Sequence, residues 1–144
     1  MRVVEAMKRD VAVVDVGVSV AEASKIMREK FQGCVVIMKK GKPVGMVTER
    51  DVTWKVAGEC LDPRKVKVEE IMSTPLITID PDSDLIEASR LMCKHRIRRL
   101  AVTRNGILYG VLTAADIARN LEGYMESEVR KIIRSAFFLS TDFR

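Results

Sequence analysis

Gly45-Met46-Val47-Thr48-Glu49-Arg50-Asp51 and Gly110-Val111-Leu112-Thr113-Ala114-Ala115-Asp116 are two copies of one phrase, Gly-x-x-Thr-x-x-Asp, set 65 residues apart. In each, a glycine and two apolar residues close an apolar run. The Thr that follows is an N-cap residue, and an Asp three positions later sits in the first helical turn, where negative charge is favourable. Each phrase therefore reads as a strand handing over to a helix.

Working outward at the same offset, residues 3–52 align with 68–117 without a gap, and 12 of the 50 pairs are identical. Composition alone predicts about three. The pairs span the whole unit, from Met7/Met72 and Asp15/Asp80 through Glu22/Glu87, Ala23/Ala88 and Met27/Met92 to Gly41/Gly106. The chain is a tandem duplication.

Each copy repeats one order of elements. Val11–Val14 and Leu76–Ile79 have strand length. Ser19 and Asp84, each with Glu three positions later, predict helix starts, and Val20, Ala23, Met27 and Leu85, Ala88, Met92 fall on one helical face. Cys34–Met38 and Val44–Val47 predict a hairpin across Lys39–Lys42. Leu100–Val102 and Leu108–Leu112 predict its equivalent across an Asn105-Gly106 turn. The unit is strand, helix, strand, strand, helix. The predicted fold class is α+β: repeat 1 over residues 1–54, a linker over 55–67 marked by Asp62-Pro63, and repeat 2 over 68–120. Units of about 50 residues bury surface inefficiently, so two copies are expected to pack together. From 121 to 144 an extension without counterpart carries helical spacing in Met125, Val129, Ile132, Ile133 and Ala136, fit either to cap the core or to bind a partner.

Hydrophobic residues at 47% and charged residues at 31% describe a globular chain rather than a disordered one. No apolar run reaches the roughly 20 residues of a membrane span, and Met1 to Lys8 lacks the layout of a secretory signal, so a cytoplasmic protein is expected. Cys34, Cys60 and Cys93 are odd in number and widely spaced, which argues for reduced thiols. His95 beside Cys93 lacks the paired spacings of a zinc site, so no metal is expected. A net charge of +5 favours an anionic partner.

The doubled Gly-x-x-Thr-x-x-Asp phrase, with opening segments Val3-Val-Glu-Ala-Met7 and Val68-Glu-Glu-Ile-Met72-Ser73-Thr74-Pro75, resembles the CBS domain family, named after cystathionine beta-synthase. The resemblance covers about 115 residues. It implies a tandem pair, or Bateman module, of two β-α-β-β-α repeats related by pseudo-twofold symmetry, with clefts between them that hold AMP, ADP, ATP or S-adenosylmethionine. No required cofactor is implied beyond such a regulatory ligand.

On that resemblance Asp51 and Asp116 are ribose candidates, since a carboxylate can accept from both ribose hydroxyls, and Thr48 and Thr113 are their neighbours at the same mouth. The plain alternative is that both pairs only cap helices. Lys94-His95-Arg96-Ile97-Arg98-Arg99 precedes a strand where family members often hold phosphates, and Arg98 and Arg99 are the candidates. Copy one has Gly33-Cys34 there, with Arg50 as a possible substitute charge. The two clefts are expected to be unequal. Thr74, Pro75 and Ile77 are placed by analogy as adenine walls, although a core role fits them as well.

Two functions compete. The first is a standalone regulatory module that binds adenosine nucleotides and signals to an effector protein, with a homodimer implied by the resemblance. The second is a nucleic-acid binder using the basic surface of Arg90–Arg99 and Arg104. Aromatic residues at 5% offer it little stacking platform. No nucleophile elbow, phosphate-binding loop or acid–base pair is found, so no catalytic residue is assigned and an enzyme is not expected.

Overall fold

The computed structural model describes residues 1–121 together with 129, 131, 132, 134 and 135. Most of the expected C-terminal extension, including Met125, Ile133 and Ala136, lies outside the described residues. Among the described residues no helix is long and apolar enough to cross a membrane.

The chain forms two compact units, each carrying a three-stranded sheet. The unit holding the core of repeat 1 comprises Asp10–Ile77 with Asn105–Leu108. The unit holding the core of repeat 2 comprises Met1–Arg9, Thr78–Arg104 and the described residues from Tyr109 on.

In the repeat 1 unit, β1 (Val13–Asp15) runs parallel to β2 (Cys34–Lys39), which pairs antiparallel with β3 (Lys42–Thr48). Strand β1 is shorter than the apolar run Val11–Val14, because the Ala12 N–H is taken by the Gln32 side chain at 2.8 Å rather than by a strand. Helix α2 (Val20–Lys30) connects β1 to β2. Ser19 caps it, its hydroxyl accepting from the Glu22 N–H at 3.1 Å, and the chain leaves it through Phe31 in the left-handed region, φ 52°. The face of Val20, Ala23 and Met27 packs with Val35, Ile37 and Val47 of the sheet into one apolar cluster. Burial of each of the valine, isoleucine and methionine side chains is worth about 1.5–3 kcal/mol. Lys40 and Gly41 both have positive φ, the backbone demanded by a two-residue turn between twisted strands.

The repeat 2 unit follows the same plan with β4 (Thr78–Ile79), α5 (Leu85–His95), β5 (Arg99–Arg104) and β6 (Ile107–Thr113) in the sheet order β4-β5-β6. Asp84 caps α5 through the Ile86 N–H at 2.6 Å. Leu85, Ala88 and Met92 are buried as their periodicity predicts. Asn105 and Gly106 make the equivalent positive-φ turn.

The compact units are not the sequence repeats. The opening segment of each copy joins the body of the other. Met1–Arg9, with the short helix α1 (Val3–Ala6), belongs with β4–β6, and α4 (Val68–Ile71) belongs with β1–β3. The backbone shows why. Lys8 exchanges both hydrogen bonds with Val111 of β6, at 2.9 and 3.0 Å, and Ser73 exchanges both with Met46 of β3, at 2.9 and 3.2 Å. Each opening segment thus satisfies an edge strand that would otherwise expose unpaired amides. Gly45 and Gly110 admit these segments. A Cβ on Gly110 would lie 2.3 Å from the Lys8 carbonyl oxygen, and one on Gly45 would lie 2.5 Å from Met72 Sδ. The glycines of the Gly-x-x-Thr-x-x-Asp phrase are there for close packing of backbone.

Candidate functional site

Both strand-to-helix junctions bury an aspartate. Strand β3 ends at Thr48 and passes into α3 (Glu49–Val52), which continues as a π-helical turn over Thr53–Ala57. Strand β6 ends at Thr113 and passes into α6 (Ala114–Leu121). Asp51 and Asp116 are the buried charged residues among those described, at 9% and 3% exposure.

The two carboxylates are used alike. Asp51 Oδ2 accepts from the Thr48 N–H at 2.9 Å and the Thr48 hydroxyl at 3.1 Å, while Asp116 Oδ2 accepts from the Thr113 N–H at 2.9 Å. In return the Asp51 and Asp116 N–H groups donate to the Thr hydroxyls, at 3.3 and 3.1 Å. These are reciprocal caps, so the structural reading of Thr48/Asp51 and Thr113/Asp116 is realised in full. The second oxygens differ in partner. Asp51 Oδ1 pairs with Lys55 Nζ at 3.0 Å, and Lys55 also donates to the Ile71 carbonyl of α4 at 2.8 Å. Asp116 Oδ1 pairs with the Arg119 guanidinium. A carboxylate has about four lone-pair sites, so each Oδ1 keeps capacity for a further donor such as a ribose hydroxyl.

The remaining candidates divide between the units. Arg98 lies at the Asp116 junction: its carbonyl accepts the N–H of Ala114, the first residue of α6, at 2.9 Å, and its side chain is exposed. Arg99 opens β5 and is half-buried. At the Asp51 junction the matching carbonyl is that of Gly33, which accepts the Glu49 N–H at 3.0 Å, and buried Cys34 faces Thr48 across the hairpin. Arg50 is exposed and lies over the Trp54 ring, 5.2 Å from its centroid. Thr74, Pro75 and Ile77 fall in the repeat 1 unit with Asp51. Thr74 and Pro75 are exposed, Ile77 is half-buried, and the Thr74 hydroxyl donates to the Val44 carbonyl of β3 at 3.1 Å.

Sequence reasoning missed Lys55, Trp54, Glu49 and Arg119. The signal for the two cations was present in their spacing, four and three residues beyond an aspartate that begins a helix. Lys55 was assigned to a linker, whereas the helical run carries on to Ala57. Arg104, counted in the basic surface, is held by Asp80 at 2.8 Å and also by Asp82.

Two α+β units, each with a three-stranded sheet that ends in a capped aspartate at a strand-to-helix junction, define a duplicated domain pair. The CBS domain family profile matches residues 3–58 and 68–123, and the chain belongs to that family. The uncharacterized protein MK0525 of Methanopyrus kandleri is 38% identical over 133 residues, covering 88% of this chain and 67% of its own. A protein with CBS domains from Burkholderia ambifaria superposes with a TM-score of 0.81 at 28% identity, covering 88% of this chain and 97% of that one. The CBS domain pair of protein MJ0100, solved with 5′-methylthioadenosine and S-adenosylmethionine, superposes with a TM-score of 0.78 at 25% identity, covering 87% of this chain and 98% of that one. The CBS pair is a regulatory module.

Proposed function

We propose that this chain is a sensor that binds adenosine nucleotides of the AMP, ADP and ATP class, or S-adenosylmethionine, at the Asp51 and Asp116 junctions. It passes the occupancy to a partner protein or to a second copy of itself. The observation that carries the reading is the pair of buried aspartates. Each has one oxygen locked into a cap and the other held only by a cation, an arrangement that presents a rigid acceptor to a ribose at small cost in reorganisation. The adenosine ligands of the MJ0100 domain pair support the chemical class. Arg98 and Arg99 are assigned to phosphate, and Thr74, Pro75 and Ile77 to the base.

The test is a melting series with AMP, ADP, ATP, S-adenosylmethionine and single-stranded RNA at low and high salt. A ligand at 100 times its Kd stabilises by about 2.7 kcal/mol, which such a series resolves. At least one adenosine compound is expected to raise Tm, with the response lost in Asp116→Ala combined with Asp51→Ala. A response to RNA alone, abolished by salt, would replace this reading with nucleic-acid binding. The ion pairs that engage Arg104 favour the adenosine side.

A further inference from the structure

The two junctions share their cap and differ in the charges set around it. In the repeat 2 unit the carbonyl that receives the first helical N–H belongs to Arg98, Arg99 follows it, and the helix opens with Ala114-Ala115. In the repeat 1 unit the same places hold Gly33, Cys34 and Glu49-Arg50. Beside its capped aspartate the repeat 2 junction adds two arginines, whereas the repeat 1 junction adds the Glu49 carboxylate and has no arginine at the strand.

Two cations of the repeat 1 junction, Arg50 and Lys55, are already engaged. Arg50 lies on Trp54, and Lys55 is shared between Asp51 Oδ1 and the Ile71 carbonyl. Glu49 Oε1 is buried and has no hydrogen-bond partner among the described residues. A buried carboxylate oxygen without a donor is costly, and the cost falls when a donor or a cation arrives beside it. The same oxygen repels a phosphate, and it does so more strongly than it would in open water.

Building on the nucleotide reading above, we propose that the two sites take ligands of different charge. The Asp116 junction takes an adenosine bearing a 5′ phosphate. The Asp51 junction takes one whose 5′ substituent is neutral or cationic, with Glu49 as the residue that excludes phosphate. Residues 33 and 49, and likewise 98 and 114, are joined by a backbone hydrogen bond at the strand-to-helix turn that carries each aspartate, and on this proposal they decide what can follow the ribose 5′ carbon.

Calorimetric titration of the full chain with AMP, adenosine and S-adenosylmethionine tests this in the wild type, in Glu49→Gln and in Arg98→Ala combined with Arg99→Ala. The double arginine variant is expected to lose about tenfold in AMP affinity and to keep adenosine. Glu49→Gln is expected to bind a second AMP, to hold adenosine unchanged, and to lose about tenfold for S-adenosylmethionine, whose sulfonium no longer meets a carboxylate. If Glu49→Gln leaves all three ligands as in the wild type, or shifts AMP and adenosine together, the assignment of Glu49 is overturned while nucleotide binding stands. If the wild type binds none of the three, with the folded state verified by circular dichroism, the nucleotide reading fails and this proposal fails with it.

Discussion

The Asp51 and Asp116 junctions descend from one sequence and have kept different things. Glycine, threonine and aspartate are retained in both, and each answers to the backbone: the glycine admits a crossing segment, while the threonine and aspartate cap a helix. Positions beside that frame have diverged, Gly33 against Arg98, Glu49 against Ala114, Trp54 against Arg119. Even the cation on the aspartate is preserved by different means, from Lys55 four residues on in one copy and from Arg119 three residues on in the other. Duplication has held the frame constant and left the chemistry around it free to drift.

The sharpest way to break that symmetry is at the glycines. Gly110→Ala sets a methyl 2.3 Å from the Lys8 carbonyl oxygen, and backbone cannot step aside as a side chain can. A loss of about 3 kcal/mol is expected in urea denaturation. Gly45→Ala meets first the thioether of Met72, whose rotation relieves part of the clash, although the Ser73 carbonyl oxygen stands at 3.0 Å. About 1–2 kcal/mol is expected there, and equal losses at the two positions would contradict the packing described.

The caps come next. Asp116→Ala and Asp51→Ala each remove the acceptor of a threonine N–H, one half of the reciprocal cap, while the threonine hydroxyl keeps its own bond to the helix, for an expected cost of about 1–2 kcal/mol apiece. Asparagine at either position retains an oxygen for the threonine amide and should recover most of that loss. Chemical denaturation of the four variants sets the scale, and failure of asparagine to recover would assign the cost to lost charge rather than to the cap.

A smaller contrast lies at the start of the helical crossover. In repeat 2, Asp80 is bound by Arg104, whose guanidinium holds the carboxyl below its ordinary value, and Asp82 shares the same guanidinium. In repeat 1 the place of Asp82 is taken by Gly17, whose N–H is bound by Glu69 at 2.9 Å. A carboxyl lowered in the folded state stabilises fully above the unfolded value near 3.8 and loses that contribution as pH falls through the lowered value. The stability gap between wild type and Arg104→Ala should therefore be constant above about pH 5 and close below pH 4. A gap that widens on acidification would contradict the pairing. The group is exposed, so the gap itself should be small and should shrink with salt.

Much of this was legible before any coordinates. The 65-residue offset gave the duplication, Ser19 and Asp84 gave the helix starts, and apolar spacing gave the buried faces of α2 and α5. The aspartates were legible because Thr followed by Asp at three positions is a local signal. The exchange of opening segments was not. A repeat says which residues correspond, but it does not say which copies touch, and hydrogen bonds between Lys8 and Val111 span more than a hundred residues. Gly45 and Gly110 were the available hint, since a glycine in a strand marks something close. Lys55 was lost because the helix past Val52 changes its winding and continues through a stretch that composition marks as linker.

Reciprocal lending of Met1–Arg9 and the α4 segment has a consequence for the integrity of the chain. A protease cutting in the exposed turn around Glu59 would produce two fragments, each lacking an edge that only the other can supply. Such halves should reassociate when mixed and stay joined when nicked, so the molecule would survive a severed backbone that would dismantle a simple string of two beads.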